Sequence, residues 1–136
     1  MTADVSADAT TVYESTVTAV GSQVAAFLEH GILIFFADGA PAELHDISVL
    51  HRASVTDDGP RPGDIVHLGD TSLEILAVGD VVRDNLLNLG HLDLKADGLT
   101  EAKLPGDVCV PKGDLALLAT GDSFRITRPA TTQGQN

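Results

Sequence analysis

Five histidines and one cysteine are the side chains of this 136-residue chain best suited to nucleophilic or ligating chemistry. They are His30, His45, His51, His67, His91 and Cys109. No phosphate-binding glycine loop, H-E-x-x-H helix, C-x-x-C knuckle, EF-hand spacing or G-x-S-x-G elbow accompanies them. His51 has the most informative setting. It closes DGAPAELHDISVLHR, residues 38–52, a turn followed by a proline-led segment and then a strand. Ile47, Val49, His51, Ala53 and Val55 share one parity, while Leu50, Arg52 and Ser54 point the other way. An imidazole on the apolar side of a strand loses hydration, which disfavours its cationic form. Neutral imidazole can attack phosphorus and form a covalent intermediate. Phosphoryl transfer then needs positioning and donors around the oxygens, for which turn amides, Arg52 or a second imidazole are candidates. The same parity also describes a packed core histidine.

The other groups read more blandly. His45 and His51 flank HDISVLH, and with a carboxylate they could bind zinc. No third ligand stands at a diagnostic spacing, so no metal site is predicted. His30 falls in the last turn of a helix, His67 on a strand beside a hairpin, and His91 on the same parity as Asp93 and Lys95, hence exposed. Cys109 in DVCVP reads as a small core residue. Being alone, it excludes an internal disulfide and fits a reducing cytoplasm.

The elements that must position these groups are mostly short strands. Tyr13 to Val20 alternates, with Tyr13, Val17 and Ala19 on one face. Ser22 caps a short helix carrying Val24, Phe27 and Leu28, which Gly31 stops. ILIFF, residues 32–36, reads as a strand buried on both faces. Asp38-Gly39 turns the chain, and Pro41 opens a helical turn over Ala42 to His45. Asp64 to Leu68 and Thr71 to Val78 form a hairpin about Gly69-Asp70, with glycine at the first central position of a type II′ turn. Asp80 caps a helix holding Val82, Leu86 and Leu89, ended by Gly90. His91 to Lys95, Val108 to Val110 and Phe124 to Thr127 are further strands. Recurrent Gly-Asp and Asp-Gly pairs are irregularly spaced turn signals. The sum is an all-β sandwich or partly open barrel with two or three short helices. One domain spans residues 11–128, between polar tails at 1–10 and 129–136 that read as disordered.

Composition narrows the function. The formal net charge is −12, which argues against nucleic acid and anionic membrane surfaces. A basic protein partner, or plain solubility, fits that charge. No apolar run is long enough to span a bilayer, and MTADVSADATT is no signal peptide.

GILIFFADGAPAELHDISVLHR, PGDIVHLGDTSLEILAVGDVVRDNLLNLGHLDLKADGL and LPGDVCV, in that order and spacing, resemble the enzyme IIA component of the glucitol/sorbitol-specific phosphotransferase system. The resemblance runs from about Val12 to Arg128. It implies a cytoplasmic all-β phosphocarrier, without cofactor or metal. Such a protein takes phosphate from the phosphocarrier protein HPr onto a histidine and passes it to the IIB component while the hexitol enters through IIC. The family's phosphorylated histidine follows the GAPAEL segment at the end of an apolar strand, a position that matches His51. His45, Arg52 and His91 are candidate supporting residues. The relay expectation requires a ring that a docking protein can reach. A non-catalytic regulatory module of the same fold is the alternative, and a metal-dependent β-domain using His45 and His51 is a third reading.

Overall fold

The structure, a computed structural model, describes residues 9–130. The tail assignments at residues 1–8 and 131–136 fall outside the described residues. Nine strands form one sheet, in the order β5-β4-β9-β1-β3-β2-β7-β8-β6. They are β1 (Thr10–Val20), β2 (Ile32–Ala37), β3 (Val49–Thr56), β4 (Ile65–Leu68), β5 (Thr71–Glu74), β6 (Ala77–Val78), β7 (Leu92–Lys95), β8 (Asp107–Cys109) and β9 (Ser123–Arg128). Helix α1 covers Val24–Leu28, a 3-10 helix covers Ala42–Ile47, and α2 covers Val82–Leu89. The expected all-β, partly open barrel with short helices is what the chain forms.

The sheet curls because its inner face carries the large side chains. Strands β9 and β2 are separated by β1 and β3, so a flat sheet would hold them about 14 Å apart. Yet Phe35 on β2 and Phe124 on β9 stack with ring centroids 4.2 Å apart. Only a strongly curved sheet brings them together. Leu33, Leu94, Val66, Leu68, Leu92 and Ile126 fill the space around this pair. Scarce aromatics therefore mark the point where the inner face of the curled sheet meets itself, and aliphatic residues pack the rest.

Three local expectations need correction. Ser22 and Asp80 do not cap the helices: the N-cap of α1 is Gln23 and that of α2 is Val81, and neither makes a side-chain hydrogen bond. These helices are held instead by burial of Val24, Val82 and Leu86 against the sheet. Residues 32–36 are not buried on both faces. Leu33 and Phe35 point inward, while Ile34 and Phe36 remain half-buried outside. An apolar run hides this alternation because every member is hydrophobic. Leu89, expected inside, is exposed at the end of α2.

The turn chemistry follows the sequence. Gly69 has φ 60° and Asp70 does not have positive φ, as a type II′ hairpin between β4 and β5 requires. Gly90 adopts the left-handed conformation, φ 65°, at the C-cap of α2. A Cβ there would also lie 2.6 Å from the Ala37 nitrogen. Helix α2 can therefore approach the end of β2 this closely only with glycine at position 90.

Candidate functional site

Strand β3 runs through the middle of the sheet, antiparallel to β1 and parallel to β2. Its register sets Val17 and Ala37 on either side of His51. The parity argument holds at this residue: the side chain points inward and is only 1% exposed. Tyr13, Phe35 and Phe124 surround the imidazole, with centroids at 6.2, 6.0 and 5.4 Å and steep interplanar angles. Such edge-to-face contacts hold the ring in place without needing it charged.

Both ring nitrogens are occupied. The Gly90 carbonyl lies 2.7 Å from Nε2, and the Ser15 hydroxyl lies 2.7 Å from Nδ1. A carbonyl can only accept, so Nε2 carries the proton and donates it to Gly90. Nδ1 is then bare in the neutral ring and accepts the Ser15 Oγ–H. Burial lowers the His51 pKa below its ordinary value, and the Gly90 bond and the Asp38 charge oppose this only in part. The result is a neutral imidazole of defined tautomer, fixed at both ends and caged by aromatic edges.

This burial departs from the expectation of a ring that a docking protein can reach. The Gly90 peptide covers Nε2, and Ser15, itself 1% exposed, covers Nδ1. The two sides differ in depth. Ser15 is an inward-facing residue of a central strand. Gly90 directly follows the exposed Asn88 and Leu89, one layer beneath the surface. Beside it a largely apolar groove of 490 Å³ opens among Phe36, Ala37, Pro41, Leu44, Asn88 and Leu89. Ala37, the ladder partner of His51, forms part of its wall. A second cleft of 340 Å³, between Gly79 and Pro105, has none of the five histidines in its lining.

The other predicted residues take different places. His45 Nε2–H donates to the Ala40 carbonyl at 2.8 Å, pinning the 3-10 helix to the preceding turn. Arg52 points outward from β3 and binds Asp38 Oδ2 through Nε at 3.0 Å and Nη2 at 2.7 Å. The Asp38 amide donates to the His51 carbonyl, so this ion pair braces the β2 end behind the site. His91 is half-buried rather than exposed: its ring stacks on Phe36 at 4.1 Å, and Nδ1–H donates to the Phe35 carbonyl. None of His45, Arg52 and His91 hydrogen-bonds the His51 ring. The groups that do are Ser15 and Gly90. Ser15 was legible as a hydroxyl on the same parity as Tyr13 and Val17. Gly90 was read only as a helix stop, and its carbonyl contact had no signal in the sequence.

Cys109 is buried on β8 and its thiol is pushed up to about 11, chiefly by desolvation, so it is a core residue and not a thiolate nucleophile. Among the described residues, no group of three or more His, Cys, Asp or Glu side chains could hold a metal ion, and no helix is long and apolar enough to cross a membrane.

A family model described as the PTS system glucitol/sorbitol-specific IIA component matches residues 12–125. Two relatives, the PTS system glucitol/sorbitol-specific EIIA components of Shigella flexneri and Escherichia coli (strain K12), are each 39% identical over 101 residues. Each match covers 74% of this chain and 82% of the relative. The crystal structure of the PTS system IIA component from Enterococcus faecalis V583 superposes with a TM-score of 0.70 at 25% identity. That match covers 82% of this chain and 96% of the other.

Proposed function

The chain belongs to the family of PTS system glucitol/sorbitol-specific IIA components, and from that premise we propose that its phosphocarrier role runs through a phosphohistidine at His51. As a phosphotransferase-system IIA component, it carries phosphate within the multi-protein system that takes up and phosphorylates glucitol/sorbitol. In the finer reading, phospho-HPr is the donor, the IIB component is the acceptor, IIC admits the hexitol, and the exchange takes place in the cytoplasm.

The observation that carries this reading is the state of the His51 ring. It is neutral, of one tautomer, and fixed by two short hydrogen bonds on the central strand that follows the GAPAEL segment. A neutral ring already fixed in place on a rigid strand loses little orientational entropy in reaching the transition state. Transfer also requires the Gly90 cover to move, because a donor phosphorus cannot approach Nε2 through a carbonyl oxygen. The cost of that movement is a local opening at the end of α2, a short helix bounded by exposed residues.

Incubation with phosphoenolpyruvate, enzyme I and HPr tests the proposal. The chain gains one acid-labile phosphoryl group, and His51→Ala and His51→Gln gain none. Full labelling of either variant would overturn it. A second reading, a regulatory module that binds partners without carrying phosphate, draws on the same burial of His51. It requires partner binding that survives both substitutions and a wild-type chain that takes up no label.

A further inference from the structure

The Ser15–His51 contact joins two buried polar side chains from different strands, and the phosphocarrier reading gives the hydroxyl no task. In the closed molecule the tautomer is set by the Gly90 carbonyl, which holds the proton on Nε2. That is the nitrogen nearer the surface, and a protonated nitrogen has no lone pair to attack phosphorus. The bare nitrogen, Nδ1, faces the sheet interior under Ser15. The closed state therefore holds its lone pair where no donor can arrive.

We propose that Ser15 is a positioning residue that moves the ring proton from Nε2 to Nδ1 when the site opens, and so makes Nε2 the nucleophile; this rests on the His51 reading above. A hydroxyl, unlike a carbonyl, both donates and accepts. With Gly90 in place, Ser15 donates to bare Nδ1. Once the Gly90 peptide withdraws, Nε2–H has lost its protein acceptor, whereas Nδ1–H gains one by rotation of the Ser15 hydroxyl. The opening admits water to the ring: Nε2 releases its proton to that water, and Nδ1 takes one through the Ser15 hydroxyl, which hands on its own proton and regains one from the same water, leaving the ring neutral. The Nε2 lone pair then attacks phosphorus. The nitrogen–phosphorus bond of the donor phosphohistidine breaks, and its electron pair returns to the donor imidazole. The donor phosphohistidine is protonated on its other nitrogen, so it leaves as a neutral imidazole, while His51 becomes a phosphoimidazolium whose ring charge is offset by the phosphoryl group; its Nδ1–H stays bonded to Ser15 Oγ, which keeps a buried N–H from being orphaned.

Nitrogen-15 spectra of histidine-labelled protein, together with labelling rates from phospho-HPr, test this. Before phosphorylation the His51 ring shows a bare Nδ1 and a protonated Nε2. Afterwards phosphorus couples to Nε2, and Nδ1 carries the proton. Ser15→Ala slows phosphoryl uptake about tenfold or more, and Ser15→Thr, which keeps the hydroxyl, stays within about threefold of the wild type. Phosphorus on Nδ1, a protonated Nδ1 in the resting protein, or equal rates for Ser15→Ala and wild type would each overturn the role of Ser15 while leaving His51 as carrier. Label retained in His51→Gln sinks the carrier reading itself, and the Ser15 role with it.

Discussion

His51 and His67 are anchored alike and built for different ends. Each ring is held through both nitrogens, and burial lowers the pKa of each, with the Arg125 charge adding to the effect at His67. His67 sits near the surface on β4, between the hydroxyls of Ser72 and Thr127, both at 2.8 Å. Two hydroxyls can exchange donor and acceptor roles, so either tautomer of His67 is satisfied. His51 lies between one hydroxyl and one carbonyl, inside an aromatic cage. The carbonyl alone breaks the symmetry. Hydrogen-bonding both nitrogens ties a hairpin to β9 at His67, whereas at His51 it selects which nitrogen is bare. A third region shows the opposite treatment of charge. Arg128 bridges Asp58 and Asp64 at the end of β9, and the bond from Arg83, with help from Arg128, holds the Asp58 carboxyl well below the usual range. Charge is retained where the groups have ionic partners and excluded where the walls are aromatic.

The largest break in the comparison comes from removing the rings. His51→Ala empties a caged, doubly bonded site and costs about 2–4 kcal/mol, whereas His67→Ala costs about 1 kcal/mol. Urea unfolding of the two variants measures the gap, and equal losses would erase the distinction. Next comes the cover. Gly90→Ala combines positive φ with a clash against the Ala37 backbone and costs about 2–3 kcal/mol. Gly69→Ala, also at positive φ but with open space around the new Cβ, costs only about 1 kcal/mol. Similar midpoints for these two would mean that the approach of α2 to β2 is loose.

Acid sharpens the contrast further. Both histidines have folded pKa values below the ordinary 6.5, so the unfolded chain binds more protons than the folded one just below that pH. Their contribution is fully present above 6.5 and declines as pH falls from there toward the folded values. His51→Gln flattens this part of the stability curve more than His67→Gln does, because the His51 ring is the more deeply buried. The reverse order would place the stronger desolvation at the hairpin. The smallest effect belongs to Arg52→Ala. In its ion pair with Asp38 the arginine side chain is 75% exposed, and losing the pair shifts stability by less than about 0.5 kcal/mol.

Much of the scaffold was readable from periodicity. Alternation at Tyr13–Val17 placed the inward side chains of β1, and glycines marked the hairpin and the end of α2; on β3 the parity served for His51 but not beyond, since Leu50 is buried beside it and Ala53 is exposed. Capping was misread because Ser22 and Asp80 have the right side chains but the wrong register, and the packing of Val24 and Val82 decided where the helices begin. The parity of His51 was legible, but its depth was not. Burial there comes from Phe124, Phe35 and Gly90, which lie 73, 16 and 39 residues away in sequence. No local pattern reports contacts that only the curl of the sheet creates. That His45, Arg52 and His91 do not hydrogen-bond the His51 ring has the same origin, since nearness in sequence does not give nearness in space. Their actual tasks are local: a turn, a strand end and a stack on Phe36.

One sealed imidazole, His51, is the proposed phosphate carrier. The most direct measurement is peptide mapping, under alkaline conditions, of the intact chain after exposure to phospho-HPr. The expected result is a single phosphoryl group on the peptide holding Val49, Leu50 and His51, with the imidazole as its point of attachment. Phosphate on any other side chain, or a chain that stays unmodified while HPr remains charged, would contradict it.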